Sequence, residues 1–273
     1  MPKSLEELQA KQRTSQKVST LLYGRYGTGK TVCAATGIQP VLIDCFDPGG
    51  GRSRLITDRI AKGNTIIIDD RWTTLDAKAV ETWEMEMEER IQSKMFDKIG
   101  TYVLDSYTTW STCVLMYIAK KTGGAAKKGL DGTRSVSPIG QILPGVPDYN
   151  YLIYAVTSWL SRIMQLPCNF VLTGHIEHDK DEATGAFLTG ISAPGKVLPQ
   201  DTFKLFDEIY VSMCIPTSTG PDYKLLTKND GMFQARTRIG GGIFETYEQP
   251  DLKALLRKAG LSDANIDQTK KGA

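Results

Sequence analysis

The sequence predicts an α/β protein whose mostly parallel sheet is flanked by helices, with antiparallel strands added toward the C-terminus. Three observations predict it. Short apolar runs alternate with helix-length segments over residues 18–173. Several of those runs end in an acid or a glycine, which places polar groups at the carboxyl edge of a buried sheet. A glycine-rich segment joins the first run to the first helix.

The elements follow in order. Val18 to Tyr23 is a strand that stops at Gly24, and residues 31–37 begin a helix closed by Gly37 and Pro40. Val41 to Ile43 is a second buried strand. Thr65 to Ile68 is a third, followed by Asp69 and Asp70. Leu75 to Ile99 has the length and the Glu, Lys and Met content of a helix, with Gly100 as its stop. Tyr102 to Leu104 is a fourth strand, followed by Asp105. Tyr107 to Lys121 and Tyr149 to Leu166 are helices, and Asn169 to Thr173 is a fifth strand. Phe206 to Ile215 and Tyr223 to Thr227 are consecutive strands joined by a Pro- and Gly-containing turn, which implies an antiparallel extension. Pro250 to Ala259 is a final helix before Gly260. Residues 1–17 form an N-terminal arm, 18–260 the folded domain and 261–273 a tail.

Composition narrows the function classes. The 273 residues include 33 Lys and Arg against 31 Asp and Glu, with 41% apolar residues. This is ordinary globular composition with material for a sizeable core. The near balance of charge excludes a wholesale basic coat, so a nucleic-acid surface has to be a local patch. The most apolar helical stretch, Tyr149 to Leu166, contains Asn150, Ser158, Ser161 and Arg162, which argues against a membrane span. The N-terminus carries no apolar signal core, so no export is expected. Cys33, Cys45, Cys113, Cys168 and Cys214 form no CxxC pair and read as reduced thiols of a cytoplasmic protein.

The chemistry-bearing segment is Gly24-Arg25-Tyr26-Gly27-Thr28-Gly29-Lys30-Thr31, followed by Val32. It matches GxxxxGK[ST] between a strand and a helix, the setting in which the pattern binds nucleotide phosphates. Glycines let the backbone curl around an anion, and the helix N-terminus adds positive potential. Lys30 is expected to reach the β- and γ-phosphates of ATP and Thr31 to ligate Mg²⁺. A second acid should serve the metal. Asp105, at the end of TYVL, has the Walker B form, and Asp69 and Asp70 after TIII are rivals. Asp44 and Asp47 are candidates to position the attacking water. His175 ends the fifth strand and should face the γ-phosphate side. His175 and His178 are the only histidines, and no Cys or third His completes a zinc set around them.

The order of P-loop, acid-ended second strand, Walker B strand and polar-ended sensor strand resembles the RecA-like core. More narrowly, YGRYGTGKT, VLIDCFD, YVLDSYTTW, NFVLTGH, KLFDEIYV and a late RTR resemble the phage-encoded RecA-like ATPases of the Sak single-strand-annealing group. The resemblance spans residues 18–260. It implies a DNA-stimulated ATPase in the host cytoplasm, acting on single-stranded DNA in recombination, annealing or replication. It further implies a homo-oligomeric filament or ring and a single-strand-binding protein as a partner. By the same resemblance His175 is the sensor, and Arg236 or Arg238 reaches a neighbouring subunit's nucleotide. One departure stands out: such proteins usually place a glutamate after the second strand, where this chain offers Asp44 and Asp47. An ATP-driven motor or assembly factor, as in virion DNA packaging, is a competing class, and a regulatory nucleotide-binding oligomer with little turnover is another.

The resemblance places single-stranded DNA on loops after the Walker B helix and after the sensor strand. The segment 122–148 shows no helical or strand period, and a stretch of that length in a compact domain is usually functional or disordered. Lys120, Lys121, Lys127, Lys128 and Arg134 make it basic, which suits a phosphate track. Ile176 to Lys196 is expected to be a β-hairpin, a weaker candidate because its acids match its bases. Tyr149, Tyr151 and Tyr154 stand at helical spacing and are expected in the core.

Overall fold

A computed structural model describes residue 4 and residues 17–49, 52–123, 142–180 and 187–261. Nine strands form one sheet: β1 (Ser19–Gly24), β2 (Val41–Cys45), β3 (Ile66–Asp69), β4 (Thr101–Asp105), β5 (Asn169–Lys180), β6 (Phe187–Ile191), β7 (Glu208–Thr217), β8 (Gly220–Leu226) and β9 (Tyr247–Glu248). The order is β3-β2-β4-β5-β1-β7-β8-β9, with β6 paired to β5. The run from β3 through β7 is parallel, whereas β7–β8, β8–β9 and β5–β6 are antiparallel. This is the mostly parallel α/β sheet with the antiparallel C-terminal extension that the sequence predicts.

The helices are α1 (Lys30–Ala34), α2 (Arg54–Ala61), α3 (Ala77–Gln92), α4 (Tyr107–Thr122), α5 (Val146–Ile163), α6 (Val197–Leu205) and α7 (Leu252–Lys258). Alternate residues of the central strands enter two separate apolar layers, as the two-residue strand period requires. Leu21, Tyr23, Leu42, Tyr102, Leu104, Phe170 and Leu172 pack on the face that also receives Trp83, Trp110 and Trp159 from α3, α4 and α5. Leu22, Val41, Ile43, Val103 and Val171 face the other way, toward Cys33 and Ala34 of α1 and Leu252 and Leu255 of α7. Trp83 meets Trp110 and Trp159 edge-on at 5.5 and 5.0 Å between ring centroids, an arrangement favoured by the ring quadrupoles.

Local signals explain the helix starts. The Asp76, Asp148 and Asp251 carboxylates accept backbone N–H groups from Ala79, Gly145 and Ala254 at 2.8, 2.7 and 2.9 Å, capping α3, α5 and α7. Several boundaries differ from the sequence expectation. The 75–99 helix ends at Gln92, because Lys94 adopts a left-handed conformation, and a single 3₁₀ turn follows over Met95–Lys98. β5 runs on past Thr173 to pair with β6, giving the expected hairpin, while residues 181–186 between the two strands lie outside the described residues. α2 and α6 were not expected from the sequence. Both are short, at eight and nine residues, which leaves few turns over which a helical period can be read. Tyr149, Tyr151 and Tyr154 are exposed rather than in the core, since the buried stripe of α5 runs through Leu152, Val156, Trp159, Leu160 and Ile163.

Among the described residues, no helix is long and apolar enough to cross a membrane. Cys33, Cys45, Cys113 and Cys168 are buried, Cys214 is exposed, and none is in a disulfide.

Candidate functional site

The parallel strands bring their carboxyl ends to one edge. There the turn after β1, the residues after β2, the end of β4 and the middle of β5 meet. β1 lies between β5 and β7, with Gly24 level with His175 of β5. Gly24 has no room for a side chain: a Cβ there would lie 2.3 Å from the Ser212 carbonyl oxygen of β7. Gly29 has φ +85°, a left-handed conformation that glycine adopts without strain, and it turns the chain into α1. Thr28 braces the loop, its hydroxyl donating to Arg25 O at 2.8 Å and its carbonyl accepting from the Ser212 hydroxyl at 2.8 Å. Arg25, Tyr26 and Gly27 form an exposed tip, and Val32 leans on the α1–α7 layer.

Lys30 is buried, and its Nζ donates to Gly24 O at 3.0 Å and Arg25 O at 2.8 Å inside the loop. Burial pulls its pKa down, while the Asp105 and Asp47 carboxylates pull it back up. Thr31 Oγ1 donates to Asp105 Oδ2 at 2.8 Å. The other Asp105 oxygen accepts the Thr173 hydroxyl of β5. The Asp105 carboxyl is buried, and desolvation raises its pKa against the hydrogen bonds from Thr173 and Thr31 and the charge of Lys30.

Asp47 lies two positions beyond the end of β2. Its Oδ1 accepts from Ser106 Oγ at 2.9 Å and from the Thr109 hydroxyl, and its Oδ2 stands 2.9 Å from His175 Nε2. Burial pushes this carboxyl up, but the hydrogen bonds from His175, Thr109 and Ser106 outweigh it and hold the pKa below the usual carboxylate range. His175 is fixed in turn by its backbone N–H, which donates to Thr108 Oγ1 at 3.1 Å. That hydroxyl donates to Ser192 O at 2.9 Å, just past the end of β6.

Asp44 is elsewhere. It is fully buried against Arg90 Nη1 (2.9 and 3.0 Å), Trp83 Nε1 (2.9 Å) and Tyr102 Oη (2.7 Å). Its surroundings leave no room for a water-positioning role. Asp69 pairs with Arg71 and Arg90 on the edge strand β3, three strands from β5, and Asp70 is exposed beside it. Neither rival of Asp105 approaches the P-loop. Arg236 and Arg238 are also not brought to the P-loop of their own chain. Arg236 Nη2 donates to Phe203 O and Phe206 O at 2.9 and 2.6 Å, and Arg238 Nη1 pairs with Asp207 at 3.0 Å. Asp207 lies beside Ser19, at the far end of β1, about 16 Å from Gly24 along the strand. Lys120 and Lys121 stand at the end of α4 beside Glu81, and Lys127, Lys128 and Arg134 lie outside the described residues.

Thr173, Ser106 and Thr109 were missed from the sequence. The signal for Thr173 is register: Leu104 pairs with Leu172, so the next residues, Asp105 and Thr173, are neighbours across the strands. Ser106 and Thr109 are three apart at the start of α4, so both can face one acceptor.

The donor set suits a nucleotide with a divalent cation. A hydroxyl and a carboxylate, both hard oxygen ligands, converge within 2.8 Å of each other at the N-terminus of α1. The left-handed Gly29 and the buried Lys30 amine supply the phosphate-binding half.

A family model described as an AAA domain matches residues 16–238. Among solved structures, a KaiC-like protein from the hyperthermophilic archaeon Pyrococcus horikoshii OT3 is similar at 12% identity and a TM-score of 0.37, over 77% of this chain and 78% of that one. No curated protein matches the chain. The matched span of the family model takes in the P-loop, Asp47, Asp105 and His175, and the chain belongs to the AAA domain family of P-loop ATPases.

Proposed function

We propose that the protein hydrolyses ATP at the Gly24–Val32 loop, with Mg²⁺ held by Thr31 and Asp105, and uses the cycle on single-stranded DNA as a homo-oligomer in phage recombination, annealing or replication. The observation that carries the hydrolytic reading is the Asp47 carboxylate, kept ionised by three side-chain donors at the same sheet edge as the P-loop.

The roles follow from the contacts. Lys30 exchanges its two backbone carbonyls for phosphate oxygens. Asp47 accepts a hydrogen bond from the attacking water and takes its proton. His175 orients Asp47 and, on the sensor strand, relays the presence of the terminal phosphate to β5 and β6. Bound Mg²⁺ would offset the negative charge that develops on the transferred phosphoryl group. Arg238, exposed and held only by a surface ion pair, is available to a neighbouring subunit, whereas Arg236 is committed to two carbonyls of its own chain.

The DNA reading is supported by the exposed Lys120 and Lys121 and by Lys127, Lys128 and Arg134 further along the sequence. Steady-state ATP turnover with and without single-stranded DNA tests it. Stimulation by single strands beyond that by duplex is the expected result; a rate indifferent to both contradicts the DNA assignment. Mixing Arg238→Ala subunits with Lys30→Ala subunits tests the assembly. Partial recovery of turnover supports an arginine acting in trans, and a fully active monomer contradicts it.

A further inference from the structure

Among the described residues, the first half of α5 leaves two aromatic side chains open to solvent. Tyr154 is 79% exposed, Tyr151 57% and Val146 82%. Single exposed apolar side chains are ordinary. Two tyrosine rings three residues apart share one helix face, whereas Val146, five residues before Tyr151, lies on another. Tyr149 is not part of the pair, because its ring is turned against Gly195.

The pair is joined to a basic corner. Thr122 Oγ1, in the last turn of α4, donates to Asp148 Oδ1 in the first turn of α5 at 3.1 Å. This bond sets the end of α4, with Lys120 and Lys121, beside the start of α5. Both lysines are 57% exposed, and their contacts with Glu81, at 4.0 and 3.2 Å, are surface pairs that a phosphate can replace at little cost.

We propose that Tyr151 and Tyr154 form a stacking platform for the bases of single-stranded nucleic acid, whose phosphates run along Lys120 and Lys121. The proposal rests on the single-strand reading above and deepens it. A tyrosine ring offers a flat face to any base, so the platform is tolerant of sequence. Charge complementarity favours nucleic acid over a second copy of the chain, which would bring the lysines of one molecule against a near-neutral partner.

The test uses the full chain and fluorescence anisotropy with two probes, an oligothymidylate and an abasic deoxyribose-phosphate oligomer of the same length. Tyr151→Ala with Tyr154→Ala should weaken oligothymidylate binding by about tenfold or more, since each base–aromatic stack contributes substantially. The same variant should bind the abasic oligomer as wild type does, with an unchanged salt slope, because the phosphate contacts remain. Tyr151→Phe with Tyr154→Phe should behave as wild type, since the rings are kept. Equal binding of oligothymidylate by wild type and the Ala pair overturns the platform while leaving the single-strand reading standing. Equal loss for both probes overturns it as well. A shift in oligomeric state of the DNA-free Ala pair in sedimentation would assign the face to a subunit contact instead. A wild type that binds neither probe overturns the platform together with the single-strand reading.

Discussion

The Asp47 carboxylate and the His175 imidazole, 128 positions apart in sequence, meet at 2.9 Å between Oδ2 and Nε2. The contact joins the segment after β2 to the sensor strand β5 across the end of β4. Asp47 stands two residues beyond Cys45, the last residue of β2, at the carboxyl edge of the sheet. Ser106 and Thr109, at the entrance to α4, complete its hydrogen bonding.

Asp47 should make stability depend on acid pH in a defined sense. Its folded pKa is held below that of an ordinary aspartate, near ~3.9. Its stabilising contribution is therefore complete above the unfolded value and is lost as pH falls through the lower folded value. The gap in melting temperature between wild type and Asp47→Asn should be constant above about pH 4.5 and close as pH falls below about 4. Thermal melts across that range check it. A gap that widens on acidification contradicts the assignment.

Lys30→Ala should leave the fold intact and weaken ATP binding by roughly 10- to 100-fold, the range for losing a charge-assisted hydrogen bond to phosphate. Its amine donates to two backbone carbonyls of the loop, so the substitution breaks no side-chain hydrogen bond. Calorimetric titration with ATP, alongside circular dichroism, measures both.

Thr173→Val should impair turnover through Asp105, the acceptor of the Thr173 hydroxyl. The change leaves one Asp105 oxygen buried without its donor, at about 1–3 kcal/mol. The expected outcome is a higher Mg²⁺ concentration for half-maximal turnover, with Thr173→Ser near wild type. An unchanged Mg²⁺ dependence in Thr173→Val would show that the hydroxyl does not position Asp105.

Asp44→Ala separates structure from chemistry. Removing Asp44 takes the acceptor from three buried donors, Arg90 Nη1, Trp83 Nε1 and Tyr102 Oη, while Asp69 and Glu86 still pair with the guanidinium, and should cost about 3–5 kcal/mol in denaturant melts. ATP affinity of the folded protein should be retained. If turnover fell while stability held, Asp44 would be the water-positioning acid and Asp47 would not.

The fold was legible because its central strands are short, apolar and acid-ended, and because the glycine-rich loop stands between a strand and a helix. The P-loop, Asp105 and His175 came from the same logic, since strand ends of a parallel sheet converge. What stayed hidden depends on contacts between distant segments. Asp44 and Asp47 look alike in VLIDCFD, and only Arg90, Trp83 and Tyr102 mark Asp44 as internal. The tyrosines of α5 fit a helical period, but the phase of burial is set by Leu152, Val156 and Leu160, which the period alone did not select. Arg236 and Arg238 were judged by spacing, and their partners belong to the α6–β7 connection.

The most direct test measures ATP turnover and ATP affinity together for wild type and Asp47→Asn, each with saturating Mg²⁺. Loss of a positioned general base typically costs about 10²- to 10⁴-fold in rate. The account predicts a fall of that size in turnover for Asp47→Asn with ATP affinity within a few-fold of wild type. A folded Asp47→Asn protein that hydrolyses ATP at the wild-type rate would contradict it.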